Sequence, residues 1–221
     1  MPFDQPSLPA PRYTDATITL YCGDAAQIIP LLPCADLLLT DPPYGIGIAA
    51  RGRVGGGGRA YKRKAWDNAV PPSWLIEMAV SRARQSIVWG GSYLGLGRAT
   101  CSLVWDKQND GLKFSQAETA WTNLPSLATR LFRFPQQWAA RAKITRIHPT
   151  QKPLELIGWC LAKAPAARSV LDPFAGSGTT LIAAMRAGLT CVGIEREEGY
   201  CTETVARLKA ERRRLQQAGL P

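Results

Sequence analysis

Histidine is nearly absent from this 221-residue chain: His148 is the single copy, against 27 Lys and Arg. That scarcity argues against a histidine-based metal centre. The six cysteines, at 22, 34, 101, 160, 191 and 201, never stand in C-x-x-C spacing. Most lie inside apolar runs such as TCVGIE and IGWCLA, which points to reduced, buried thiols and away from a zinc site or a disulfide framework. No apolar run approaches the ~18 residues of a membrane span. The opening MPFDQPSLPAPRY is proline-rich and has no basic-then-apolar leader pattern. These absences lead us to expect a cytoplasmic protein with neither a metal nor a membrane partner.

Acid is also in short supply. With 17 Asp and Glu the formal net charge is +10, and much of the excess is Arg, in RGRVGGGGRAYKRK (51–64) and ERRRL (211–215). A balance of this size fits a polyanionic partner, nucleic acid first and an anionic membrane surface second. Hydrophobic residues make up 46% and charged residues 20%, ordinary for a globular chain and enough for one domain with its own core.

What is present alternates. TITLYCGD (17–24), DLLLTDPP (36–43), SIVWGG (86–91), CSLVWDK (101–107), AETAWT (117–122), SVLDPF (169–174) and TCVGIE (190–195) read as seven strands. Helical periods run through 71–84, 153–164 and 179–188, the last closed by Gly188, and through the final EGYCTETVARLKAERRRLQQAG. Residues 1–14 read as a loose arm, 49–68 as a glycine-rich low-complexity stretch and 123–147 as irregular and basic. Strands alternating with helices predict an α/β fold, a largely parallel sheet covered on both faces. A single domain would span 15–221.

Two stretches carry chemistry. VLDPFAGSGTTLIAAMRAGLTCVGIE (170–195) is a strand, a glycine turn, a helix and a strand ending on an acid. Glycines at 176 and 178 permit a tight turn and a close ligand approach to the helix start. Glu195 lies 19 positions after Gly176, near the ~20 expected of an acid that binds ribose hydroxyls. The third glycine of dinucleotide sites and the lysine of triphosphate loops are both missing. A nucleoside ligand without a phosphate chain remains. The second stretch is TDPPYG (40–45): a buried strand that ends on Asp41, two prolines that donate no N–H, and an aromatic ring.

In combination, DPFAGSGTT resembles the S-adenosylmethionine-binding signature of the DNA amino-methyltransferases, and TDPPY resembles their catalytic motif. The order, catalytic motif first and glycine turn last, resembles the β class, a circular permutation of the common arrangement. HPTQKP (148–153) and YCGD (21–24) fit that class, and the resemblance covers roughly 17–210. It implies a Rossmann-like, seven-stranded sheet, S-adenosylmethionine as cofactor and double-stranded DNA as partner.

The resemblance also implies roles. Asp41 and the Pro42 carbonyl would accept the exocyclic amino group of an extruded base and localise its lone pair. Pro43 would hold that carbonyl in one direction, and Tyr44 would stack on the base for about 1–3 kcal/mol. Asp41 would position the nitrogen and stabilise developing positive charge rather than act as a strong base. On the cofactor side stand Asp41 again, Gly176, Ser177, Gly178, Thr179 and Thr180. Asp172 would meet the methionine amino group, Glu195 the ribose and Asp24 the adenine, with a helix N-cap as the alternative role for Asp24. Thr150 and Lys152 would bind the cofactor carboxylate or order their loop, and Phe174 would pack on the cofactor. DNA phosphates would meet Arg51, Arg53, Arg59, Lys62, Arg63 and Lys64 in a mobile loop, with Tyr61 or Trp66 stacking. The short segment 123–147, carrying Arg130, Arg133, Arg141, Lys143 and Arg146, sits where the family carries target recognition. Its brevity makes a homodimer one remedy. Aspartate first in DPPY favours adenine N6. Cytosine N4, or a nucleic-acid-binding module on the same fold, stay open as alternatives.

Overall fold

The three leucines at 37–39 sit in one strand yet serve two cores. Leu37 and Leu39 pack with Leu156, Leu181 and Leu208, while Leu38 packs with Ile28, Ile29 and Ile76. All three are fully buried. A continuous apolar run is what a strand needs when both faces of its sheet are covered.

The computed structural model describes residues 7–48, 50, 66–111, 115–137, 139 and 146–220. Among these, the strands are β1 (Tyr13–Thr14), β2 (Ile18–Cys22), β3 (Ala35–Thr40), β4 (Ala83–Trp89), β5 (Cys101–Asp106), β6 (Ala117–Thr122), β7 (Arg130–Arg133), β8 (Ser169–Asp172) and β9 (Thr190–Glu195). The helices are α1 (Ala25–Ile28), α2 (Ser73–Ser81), α3 (Leu154–Leu161), α4 (Thr179–Arg186) and α5 (Glu198–Gln217). The strands form one sheet in the order β1-β2-β9-β8-β3-β4-β6-β5-β7. β2, β9, β8, β3 and β4 are mutually parallel, while β1 and β6 run against their neighbours. α1 and α2 cover one face; α3, α4 and α5 cover the other.

All seven expected strands form, and two more join them. Tyr13–Thr14, at the end of the expected loose arm, pairs antiparallel with Thr19 and Leu20. Arg130–Arg133 pairs parallel with β5 inside the stretch read as irregular. Neither has a period to read: one is two residues long, and the other is RLFR, with arginine at both ends. Both lie at sheet margins, where only one neighbour has to be satisfied. Of the expected mobile loop (49–65) all but Ala50 lies outside the described residues, as do Arg141 and Lys143.

Side chains fix the centre of the sheet. The Asp36 carboxylate accepts the backbone N–H groups of Arg168 (2.9 Å) and Ser169 (3.1 Å) and the Ser169 hydroxyl (3.0 Å), tying the start of β3 to β8. Glu211 of α5 holds Arg186 of α4 at 2.8 Å and its own neighbour Arg214 at 2.8 Å. Those contacts keep its carboxyl at about 2.

Candidate active site

β8 leads through α4 to β9 on one side; β3 leads through α2 to β4 on the other. The chain order therefore reverses between β8 and β3, and α/β sheets bind ligands in the crevice beyond such a switch point. The two strand ends are linked there: the Thr40 hydroxyl donates to Asp172 at 2.7 Å. A cavity of about 350 Å³ opens at this edge, reached by Asp24, Asp41, Phe174, Gly176 and Glu195. That is the scale of small-molecule sites. A second cavity, about 40 Å³, lies between Asp41, Lys152, Asp172, Ser177 and Thr180.

The loop after β3 is fastened from behind. Asp67, almost fully buried, accepts the N–H groups of Tyr44 (3.0 Å), Gly45 (3.0 Å) and Ile48 (2.9 Å). Gly90, at φ +69°, lies so close to Tyr44 that a Cβ would come within 2.1 Å of its ring. The Tyr44 ring stacks on Tyr93 with centroids 5.3 Å apart, and its hydroxyl donates to Asp41 Oδ1. Lys152 Nζ meets Asp41 Oδ2 at 2.6 Å and Glu118 Oε2 at 3.0 Å, and Lys107 meets Glu118 Oε1 at 2.6 Å. Burial pushes the Asp41 carboxyl above its ordinary range; Lys152 opposes that and Glu118 adds to it. Burial and the acids beside it hold the Tyr44 phenol well above its usual value. Burial would also raise Glu118, but its two lysines win and keep it at about 2. Burial would lower Lys152, but Asp41 and Glu118 hold it above its usual value.

The glycine turn is clamped by its neighbours. Gly176 N–H donates to Glu195 Oε2 at 2.8 Å and Glu197 N–H to Oε1 at 2.7 Å, so the acid that ends β9 also shapes the turn. The Thr204 hydroxyl donates to the Gly176 carbonyl at 3.0 Å, and Arg207 donates to the Ser177 carbonyl. Gly176 and Gly178 adopt φ of +50° and +72°, where a side chain is strained. A Cβ on Gly178 would stand 2.4 Å from Thr204 Cγ2.

The structure brings most of the expected residues together. Asp24, Asp41 to Tyr44, Thr150, Phe174, Gly176 and Glu195 border the larger cavity. Asp24 also caps α1 through a 2.9 Å bond to the Ala26 N–H, so both of its anticipated roles are compatible with its place. Asp172, Ser177, Thr179, Thr180 and Lys152 border the smaller one. Burial pushes the Asp172 carboxyl up to about 6, against the hydrogen bonds it receives from Thr180 and Thr40. Trp66 packs against His148 (4.8 Å) and borders the larger cavity. Arg130 and Arg133 stand apart, exposed on β7, with Arg133 3.3 Å from Asp106. Sequence reading passed over Asp67, Tyr93, Lys107, Glu118, Thr204 and Arg207. Only Glu118, an acid in a strand pattern, carried a signal that could have marked it.

A parallel sheet whose glycine turn and acid-proline-proline-tyrosine loop meet at the switch point is the architecture of the Rossmann-like methyltransferases. The family described as DNA methylase matches residues 98–206, which include HPTQKP, the glycine turn and Glu195. The Type II methyltransferase M.ScaI of Streptomyces caespitosus is 27% identical over 95% of this chain and 87% of its own length. The crystal structure of an M1.HpyAVI–SAM complex superposes with TM-score 0.57 at 21% identity, covering 86% of this chain and 98% of that one. PvuII DNA methyltransferase (cytosine-N4-specific) superposes at 0.57 and 16% identity, covering 89% and 88%. These matches support an S-adenosylmethionine-dependent DNA amino-methyltransferase of the N6/N4 family.

Proposed function

We propose that this protein transfers the methyl group of S-adenosylmethionine to the exocyclic N6 of an adenine turned out of double-stranded DNA. The observation that carries the reading is that Asp41 and Gly176 border one cavity at the switch point. The residues present fit the cofactor. Glu195 offers acceptors for ribose hydroxyls, Asp24 one for the adenine amino group, and side-chain-free Gly176 leaves room beside its N–H. When bound, the cofactor supplies an electrophilic methyl on a sulfonium. Asp172 and Thr150 would hold its amino-acid end, and Phe174 would supply apolar surface.

Asp41 has both oxygens engaged, one by Tyr44 and one by Lys152, but each keeps a second lone pair. One of these can accept the base's amino hydrogen, and the Pro42 carbonyl is the second acceptor. Drawing both hydrogens toward acceptors pulls the nitrogen lone pair out of ring conjugation, which makes it nucleophilic. The methylated nitrogen is briefly cationic, and the buried carboxylate stabilises that charge before the proton leaves. Tyr44 supports the base, while Arg130 and Arg133, with the basic segments 51–64 and 141–143, supply phosphate contacts. Aspartate at the head of the motif favours adenine N6, and a cytosine-N4 product is the principal rival.

Mapping methylated bases in DNA co-expressed with the chain tests this directly. N6-methyladenine in a fixed sequence context is expected. N4-methylcytosine would replace the base assignment, and DNA binding without any methylation would leave only a nucleic-acid-binding module.

A further inference from the structure

Five side chains form one largely buried row: Tyr44 and Asp41 of the DPPY loop, with Lys152, Glu118 and Lys107 beyond it. Proton donors and carboxylates alternate along it. Lys152 sits between two acids, 2.6 Å from Asp41 and 3.0 Å from Glu118, with its side chain 7% exposed. Glu118 in turn sits between two lysines, with Lys107 at 2.6 Å. The row crosses the sheet: Asp41 follows β3, Lys152 comes from the loop before α3, Glu118 is on β6 and Lys107 follows β5. Glu118 pairs with Trp105 in the β5–β6 register, which brings its side chain near the strand end that carries Lys107.

An isolated Asp41–Lys152 pair would be a poor receptor for a neutral amino group, because a buried ammonium 2.6 Å away is the stronger partner for the carboxylate. Sharing Lys152 with a second acid loosens that hold. Lys107 then decides how much of Lys152 the second acid can claim. We propose that Glu118 and Lys107 are positioning residues for Asp41, acting through Lys152: Glu118 draws the ammonium off the carboxylate so that it can receive the base, and Lys107 limits that draw so that the carboxylate stays charged. The proposal deepens the reading of Asp41 as the group that receives the amino nitrogen, and it rests on that reading.

The row carries two acids and two ammonium groups, so removing one charge unbalances it in a known direction. Glu118→Gln leaves Lys152 to Asp41 alone and should pull the carboxyl's titration to lower pH. Lys107→Met leaves Glu118 with only Lys152, weakens the hold on Asp41 and should move it to higher pH. Within the row the Tyr44 hydroxyl also lies 3.5 Å from Lys152, and outside it the Trp89 ring beneath Lys152, the Cys160 thiol, and Asp172 across Thr40 face it. None of these changes in the two variants, so opposite shifts would come from the row itself.

The experiment is a carboxyl-carbon NMR titration of Asp41 in the full chain, its signal assigned with Asp41→Asn. Shifts of about one pH unit or more are expected, downward in Glu118→Gln and upward in Lys107→Met, with Lys107→Arg close to the parent. The acidic limb of the methyl-transfer rate should move the same ways, with kcat reduced and the cofactor KM within about twofold. Unchanged midpoints, or shifts of the same sign in both variants, would overturn the proposal. Should Glu118→Gln fail to fold by circular dichroism, the Lys107→Met and Lys107→Arg pair still decides it. A parent protein that methylates no DNA would defeat the proposed function, while the titration would still judge the row.

Discussion

Asp41 and Asp172 end neighbouring strands, and burial raises both carboxyls, yet their surroundings give them different tasks. Asp41 meets a lysine, a phenol and the larger cavity. Asp172 is sealed at 3% exposure under Thr40 and the Phe174 N–H. Asp41→Ala should therefore lower methyl transfer by about 100-fold or more while cofactor affinity by calorimetry changes far less. Asp172 makes a prediction about stability instead. Its folded-state pKa of about 6 exceeds the reference 3.8, so the folded chain binds that proton more tightly than the unfolded one. Its contribution is then greatest below pH 4 and is lost as pH rises through about 6, by about 3 kcal/mol. Asp172→Asn removes this dependence. In urea titrations the variant should gain stability relative to the parent between pH 4 and pH 7.

At the scale of elements, the turn between β8 and α4 depends on a helix far along the chain. α5 supplies the Thr204 hydroxyl and the Arg207 guanidinium to the turn's carbonyls, and its packing leaves no room for a Cβ at 178. Gly178→Ala should cost about 1–2 kcal/mol for the left-handed backbone, with the clash against Thr204 Cγ2 added. Adding Thr204→Ser removes that methyl and keeps the hydroxyl, so the double variant should recover the clash portion alone in denaturant melts. The glycine pair was legible as a turn because it sits between a strand and a helical period. Its dependence on Thr204 was not, since the 25 residues between Gly178 and Thr204 carry no mark of that contact. β7 was missed for a related reason: RLFR shows no alternation, and β5 alone supplies its pairing partner.

The whole molecule combines an acidic pocket with a net charge of +10. Asp24, Asp41 and Glu195 border the cavity, which suits a cationic cofactor, whereas the excess of Arg and Lys suits DNA phosphates. Cofactor and DNA affinity should consequently answer differently to salt. A footprint of about six phosphates would lose roughly 10³ in DNA affinity between 50 and 200 mM salt. Cofactor affinity, set inside a cavity, should change little over that range. Fluorescence anisotropy on duplex DNA and calorimetry with the cofactor would read the two. Equal salt dependence would contradict the separation.

The alternation of strands and helices, the glycine turn, the acid 19 positions on, and the strand that ends on Asp-Pro-Pro-Tyr were all legible before folding. Each is written in adjacent residues or a short spacing, because local backbone geometry and strand burial act over such distances. Tertiary structure alone decided that β3 and β8 lie side by side, that Lys152 of the HPTQKP loop turns to Asp41, and that Glu118 and Lys107 stand behind it. Lys152 lies 111 residues from Asp41 and 34 from Glu118, and pairing of buried charges is settled by the closed sheet, where each ion must find its counter-ion or not be charged at all.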